Sequence, residues 1–319
     1  MTPIKLIPSF KDYIWGGTKL KDEFNKKCDL SKIAESWELS THKDGPSILE
    51  NGEYAGLTFS QYLENSNNIP LGSNCKRFND FPILIKLIDA KDNLSVQVHP
   101  DNDYALKVEG EYGKTEMWYI VDCEPDSYLL YGFNKKISRN EFQRSIEDNT
   151  LLDIVNKVPV KKGDVFFIEA GTLHAIGKGI LIAEIQQNSN TTYRIYDYGR
   201  LDAQGKPRDL HIEKALDVTN LNKTEIPYTS KKEDCSGYKS QLLSCCDYFT
   251  VINLDIYEKV TLCADNLSFN SVLVLNGKGK INYNGKSMDI KKGDSIFIPA
   301  NFGEYIISGT LNIILTKID

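Results

Sequence analysis

The sequence predicts a mainly β protein made of two related units of short strands, the first carrying a small helical insertion. Runs rich in Val, Ile, Phe and Tyr, bounded by Gly, Asn, Asp and Pro, recur from about residue 80 to the end, the pattern of a sandwich or barrel. An internal repeat is the second observation. Val160-Lys-Lys-Gly163-Asp164-Val-Phe-Phe-Ile168-Glu-Ala170 matches Ile290-Lys-Lys-Gly293-Asp294-Ser-Ile-Phe-Ile298-Pro-Ala300 without a gap. In each copy Gly-Asp makes a tight turn into a strand whose alternate residues face the core.

In chain order the strands read FPILIKLI, LSVQVHP, MWYIVDC, SYLLYGF, DVFFIEA, GILIAEIQ, SVLVLNG and DSIFIPA. Met117–Asp122 and Ser271–Asn276 stand upstream of the two repeated turns as strand partners. The clearest helical signal covers Ser138–Val158. There Ser138-x-x-Glu141 is a capping box, and Phe142, Ile146, Leu151, Ile154 and Val158 supply an apolar face. Shorter helices are expected at Lys19–Phe24, Phe59–Glu64, Asn102–Lys107 and Leu210–Val218. Asn220–Ser240 is polar and poorly periodic and reads as a linker between residues 1–219, the unit with the insertion, and residues 241–319.

The bulk properties narrow the partners. A chain of 319 residues is long for one ordinary core. Its net charge of −6, without a Lys/Arg-rich block, argues against nucleic acid and anionic membranes. An anionic small substrate needs only a few converging cations. Pro3 and Pro8 interrupt the N-terminal apolar run and no window approaches a membrane span, so a cytoplasmic location is expected. The seven cysteines are odd in number and contain no C-x-x-C, which speaks against both a disulfide framework and a thiolate zinc site.

A strand, an x-G-D-x turn and a Pro- or Gly-marked strand end resemble the cupin family. That resemblance implies jelly-roll β-barrel units with a metal inside. Gln97 and His99 flank Val98, so the two-residue period of a strand aims both at one face. Glu116 opens the next strongly apolar strand, and His174 follows the Gly163-Asp164 turn and its strand, where cupins place their last ligand. Such donors suit zinc, but also iron, manganese or nickel. The second unit carries Asn270 opposite Glu116 and Glu304 in the place of His174, and no histidine follows Asn220. One metal site and one companion unit without ligands are therefore expected.

Several motifs, in order, resemble the type I mannose-6-phosphate isomerases, in particular the short bacterial form. They are Tyr13-Ile-Trp15-Gly16-Gly17, Ala34-Glu35-Ser36-Trp37-Glu38, Leu94-Ser95-Val96-Gln97-Val98-His99-Pro100, Gly113-Lys114-Thr115-Glu116-Met117-Trp118, Gly171-Thr172-Leu173-His174, and Glu184 to Arg194. The resemblance implies one zinc on Gln97, His99, Glu116 and His174, an active-site role for Arg194, and interconversion of mannose 6-phosphate and fructose 6-phosphate. The family's common Lys-Pro-Glu here reads Lys114-Thr115-Glu116, keeping lysine and ligand.

Aldose–ketose isomerisation needs a proton-transfer group, an electrophile and a grip on phosphate. Ser95, Lys114 and Arg194 are the phosphate candidates, and Ser95 shares the strand face of Gln97. Glu184, Lys114 and a zinc-bound hydroxide remain open as the base. Arg194, expected on a loop at the mouth of the first barrel, suits electrostatic stabilisation because it resists deprotonation. Trp15 and Trp37 are candidates for the wall of the sugar pocket, whereas His42 and His211 fall outside the ligand spacing. Two other function classes fit the same residues: another metal-dependent cupin enzyme (a different sugar-phosphate isomerase or an oxygenase), and a non-catalytic sugar-binding cupin.

Overall fold

The computed structural model describes residues 1–202, 205–226 and 230–319. The chain is mainly β, and the described residues form three sheets. A six-stranded antiparallel sheet runs in the order Val165–Ile168, Glu116–Cys123, Ile180–Gln187, Ile83–Ala90, Glu35–Leu39 and Ser9–Lys11. A five-stranded sheet faces it, ordered Tyr193–Tyr196, Val96–Val98, His174–Ile176, Tyr128–Phe133 and Val155–Pro159. The remaining strands form a ten-stranded sheet. No helix among the described residues is long and apolar enough to cross a membrane.

Parity along the two longest apolar strands explains their composition. Ile83–Ala90 and Ile180–Gln187 are buried at every position, as expected when both faces of a sheet are covered. Ile83, Ile85 and Leu87 enter a core shared with Phe249, Val251, Phe269 and Phe297 of the second half. Ile88 and Ala90 turn the other way and meet Trp118, Leu129, Tyr131 and Phe166 between the two facing sheets. Lys86 and Glu184 share the parity of that second face and sit directly opposite each other in the ladder.

The repeat survives in three dimensions, hydrogen bond for hydrogen bond. Gly163 and Gly293 both take φ of 90°. Gly163 N–H donates to Ile120 O and Gly293 N–H to Val274 O, each at 2.8 Å, and the Ile120 and Val274 amides return the bond to Asp164 O and Asp294 O at 2.9 Å. The Lys161 and Lys291 amides donate to the Asp164 and Asp294 carboxylates at 2.9 and 3.0 Å.

Two expectations need correction and a third, the linker, is refined. No sheet closes into a barrel among the described residues: the ladders stop at edge strands, and the facing sheets are joined by side-chain packing and by bonds such as Tyr131 Oη to Phe167 O at 2.7 Å, not by a continuous ladder. The helix at Ser138–Val158 covers only Arg139–Glu147. It stops where Asn149 turns left-handed at φ 57°, and Val158 belongs to the strand Val155–Pro159. Ser138 Oγ accepts from the Glu141 amide at 3.1 Å, the Glu141 carboxylate faces the Ser138 amide, and Lys135 Nζ lies 2.7 Å from it. Finally, the stretch 220–240 is partly structured. Its Asn220 and Thr224 amides donate to Gly171 O and Phe133 O, and Glu233–Cys235 starts the large sheet; residues 227–229 lie outside the described residues.

The halves are also joined. Ile4–Ile7 pairs with Ser295–Ile298 in the large sheet. A buried ion pair, Lys26 Nζ to Glu38 at 2.7 Å, is tied to the second repeated turn by a bond from Lys26 Nζ to Gly293 O at 2.6 Å.

Candidate metal centre and cleft

Register builds the site. On the five-stranded sheet Gln97 is flanked in the ladder by His174 on one side and Arg194 on the other. His99 lies just beyond the same short strand, with Val98 buried on the opposite face. On the facing sheet Glu116 stands opposite Gln186, and Trp118, Glu184, Lys86 and Trp37 form one cross-strand row. Arg194 is thus a strand residue within Tyr193–Tyr196, not a loop residue at a barrel mouth.

The donors converge, buried. His99, Glu116 and His174 each offer an atom within 4.8 Å of the others. His174 Nε2 is 3.4 Å from Glu116 Oε1, and His99 Nε2 is 3.7 Å from Glu116 Oε2. Donors held ~2.0–2.1 Å from a tetrahedral ion stand about 3.3–3.5 Å apart, so this spacing fits a small divalent cation. Gln97 Nε2 lies 3.3 Å from His174 Nε2, and a flip of the amide presents its oxygen to the same point.

The second coordination layer fixes the protons. His99 Nδ1 donates to Thr191 O at 2.9 Å and His174 Nδ1 to Thr172 O at 2.8 Å, leaving each Nε2 lone pair directed inward. Burial, then nearby Lys114, pushes the His99 imidazolium well below its usual range, and burial takes His174 down to about 4. Both rings are neutral at pH 7, the form that ligates metal.

Glu116 is the unsatisfied member. Both its oxygens are buried without a hydrogen bond. Lys114 Nζ forms a buried ion pair with Oε2 at 2.9 Å. Burial, followed by repulsion from Glu184, raises its pKa to about 7. A buried carboxylate in this state is costly unless a cation serves it.

Glu184, whose Oε1 is likewise buried without a hydrogen bond, is displaced in the other direction. Burial pushes its pKa up, yet Lys114, Lys86 and the Trp118 indole outweigh burial and hold it near 2. Trp118 Nε1 donates to Oε2 at 2.8 Å and Lys86 Nζ lies 3.2 Å from Oε1.

A cavity of about 260 Å³ opens beside these donors. Trp15, Ser95, Gln97, Lys114, Glu184 and Arg194 line it, so the expected substrate residues share one space, and Gln97 and Lys114 link it to His174, His99 and Glu116 behind. Arg194 Nε donates to Ser95 Oγ at 3.3 Å and Nη1 to Asp209 O at 2.9 Å. His211 Nδ1 accepts the Arg194 amide. Trp37 is absent from the lining; it sits behind Lys86, its ring centroid 5.2 Å from Nζ and its Nε1 bonded to Glu35.

Tyr13 and Glu35, which stand in the sequence motifs without an assigned role, also line the cavity, as do Lys86, Asn190 and Arg208, which sequence reasoning missed. Lys86 had a signal: one charge inside the apolar run FPILIKLI, matched by Glu184 inside GILIAEIQ. Two lone opposite charges on strands buried on both faces must find partners there.

Comparison with known proteins agrees with this geometry. Residues 4–128 match the family model "Phosphomannose isomerase type I, catalytic domain", and residues 239–318 match "Mannose-6-phosphate isomerase, cupin domain". The chain is 37% identical over 317 residues to mannose-6-phosphate isomerase ManA of Bacillus subtilis, covering 99% of both. It is 38% identical to the mannose-6-phosphate isomerase of Streptococcus mutans, covering 98% of this chain and 97% of that one. The chain belongs to the type I mannose-6-phosphate isomerase family. A crystal structure of the Bacillus subtilis mannose 6-phosphate isomerase superposes with a TM-score of 0.92 at 36% identity over 99% of each chain. Within the family framework, the catalytic-domain match spans Gln97, His99, Lys114 and Glu116, and the cupin-domain match spans the second copy of the repeat.

Proposed function

We propose that this chain interconverts mannose 6-phosphate and fructose 6-phosphate in the cleft beside His99, with one zinc ion held by Gln97, His99, Glu116 and His174. The observation that carries the reading is the buried Glu116 carboxylate facing two neutral imidazoles at donor spacing, next to Gln97 and Lys114 of a cavity also lined by Lys86, Arg194 and Arg208. When bound, the ion supplies Lewis acidity toward the oxygens of the sugar. The matched hydrogen bonds of the repeat support reading both halves as cupin-like units, with residues 1–219 catalytic, 220–240 connecting and 241–319 free of metal ligands.

The chain's own residues divide the remaining work. Ser95 and Arg194, in contact at one end of the cavity, take the phosphate, with Arg208 beside them. Arg208 is oriented by Asp197, which accepts from its Nε at 2.8 Å. Trp15 walls the sugar, packed on Tyr13 with ring centroids 5.6 Å apart.

The reaction moves one proton between C2 and C1 through an enediol(ate). Glu184, ionised down to about pH 2, is a weak base. Its part is to anchor Lys86 and Lys114, whose ammonium groups face the developing negative charge. Lys114 Nζ stands 3.2 Å from His99 Nε2 and 2.9 Å from Glu116 Oε2, and is the group we assign to carry the proton: entering as the neutral amine it takes the proton from one carbon, and the ammonium so formed faces the enediolate and returns the proton to the other.

Incubation of the zinc-loaded protein with mannose 6-phosphate in deuterated water, followed by NMR, tests the assignment. The expected product is fructose 6-phosphate. Absence of product, with a different sugar phosphate converted or the substrate merely bound, returns the chain to the other cupin classes.

A further inference from the structure

We infer that Glu111 is a positioning residue for His99, acting through Thr191; the inference rests on the metal reading above. Residues 188–192 connect the strand Ile180–Gln187 of one sheet to Tyr193–Tyr196 of the other, and Asn190 and Thr192 form part of the cleft wall. The Thr191 carbonyl takes the His99 Nδ1 proton at 2.9 Å. That bond orients the imidazole only as well as the carbonyl itself is held, and Thr191 lies outside both ladders. Side chains outside the cleft hold it instead.

Glu111 is the hub of that outer support. Its Oε2 accepts from Thr191 Oγ1 at 3.3 Å, and the Asn190 amide donates to the same carboxylate. Its Oε1 faces Lys43 Nζ at 3.0 Å and His42 Nε2 at 3.7 Å. Thr191 therefore presents its hydroxyl outward to Glu111 and its carbonyl inward to His99. Two parallel ties, Asn188 Nδ2 to Thr41 Oγ1 and Asn190 Nδ2 to Asp44 Oδ2, both 2.9 Å, bind the segment to the same loop that carries Lys43. Groups that orient a metal-ligating imidazole through its second nitrogen commonly set metal affinity by 10- to 100-fold or so.

The test measures zinc affinity by chelator competition, together with thermal unfolding of the metal-free protein, in Glu111→Ala, Glu111→Gln, Thr191→Val and the Glu111→Ala/Thr191→Val double variant. Glu111→Ala and Thr191→Val should each weaken zinc about tenfold, with metal-free unfolding near that of the wild type. The double variant should be no weaker than either single one, since both cut one chain of contacts. Glu111→Gln keeps an acceptor for the hydroxyl and the amide and should retain most of the affinity. Wild-type affinity in Thr191→Val, additive losses in the double variant, or a lower unfolding temperature with unchanged affinity would each overturn the inference. His99→Ala serves as the control: if it holds zinc as tightly as the wild type, the site reading fails, and not merely this step.

Discussion

The two copies of the repeat share a frame and differ in what it holds. Both turns make the same amide and carboxylate bonds around Gly163-Asp164 and Gly293-Asp294. In the first copy, the residue paired with Ile168 is Glu116, buried and without a hydrogen bond. In the second, the residue paired with Ile298 is Asn270, whose amide donates to Tyr305 Oη at 2.8 Å and to Cys263 O at 3.1 Å. Glu304, the counterpart of His174, is exposed on its strand. Among the described residues, only the first frame brings a buried carboxylate together with two imidazoles. The turn and its ladder thus specify fold, while the convergence of buried donors marks chemistry.

Writing the second copy into the first should have the largest effect. Glu116→Asn, which copies Asn270, removes the one anionic donor and should abolish stoichiometric zinc and turnover while the protein stays folded. Elemental analysis and circular dichroism check the two halves of that statement. Retained zinc would mean that the two copies do not differ in the way argued here.

Arg194 ranks next, because it lines the cleft of the first unit in contact with Ser95. Loss of one such donor commonly costs on the order of a hundredfold or more in turnover, so Arg194→Ala should lose at least that much and keep its zinc. Steady-state kinetics sharpen the assignment: a rise in KM with kcat unchanged makes Arg194 a phosphate anchor alone.

The smallest effect separates the turns themselves. An alanine at either glycine takes on left-handed backbone strain of about 1–2 kcal/mol. At Gly163 the added Cβ meets nothing within 4 Å, but at Gly293 it comes within 2.3 Å of Phe24 O. Gly293→Ala should therefore destabilise the fold in urea by about 1 kcal/mol or more beyond Gly163→Ala. Equal losses would show that Phe24 yields without cost.

Local pattern made much of this legible. The two-residue period placed Gln97 and His99 on one face, and the repeated turn placed Glu116 and His174 near them. Long-range pairing was not legible, because it leaves no local signature. Ile4–Ile7 joins Ser295–Ile298 across nearly the whole chain, and Lys86 meets Glu184 only once two distant strands are set in register. The overextended helix at Ser138–Val158 had a different cause: apolar spacing alone did not register Asn149 as a left-handed stop or Val155–Pro159 as a strand.

X-ray absorption at the zinc edge of the loaded protein tests the central claim most directly, that one zinc sits on nitrogen and oxygen donors of the first unit. The account expects about one zinc per chain, with neighbours at ~2.0–2.1 Å and the outer-shell scattering of imidazole. A zinc–sulfur distance of about 2.3 Å, drawn from any of the free cysteines, would contradict it.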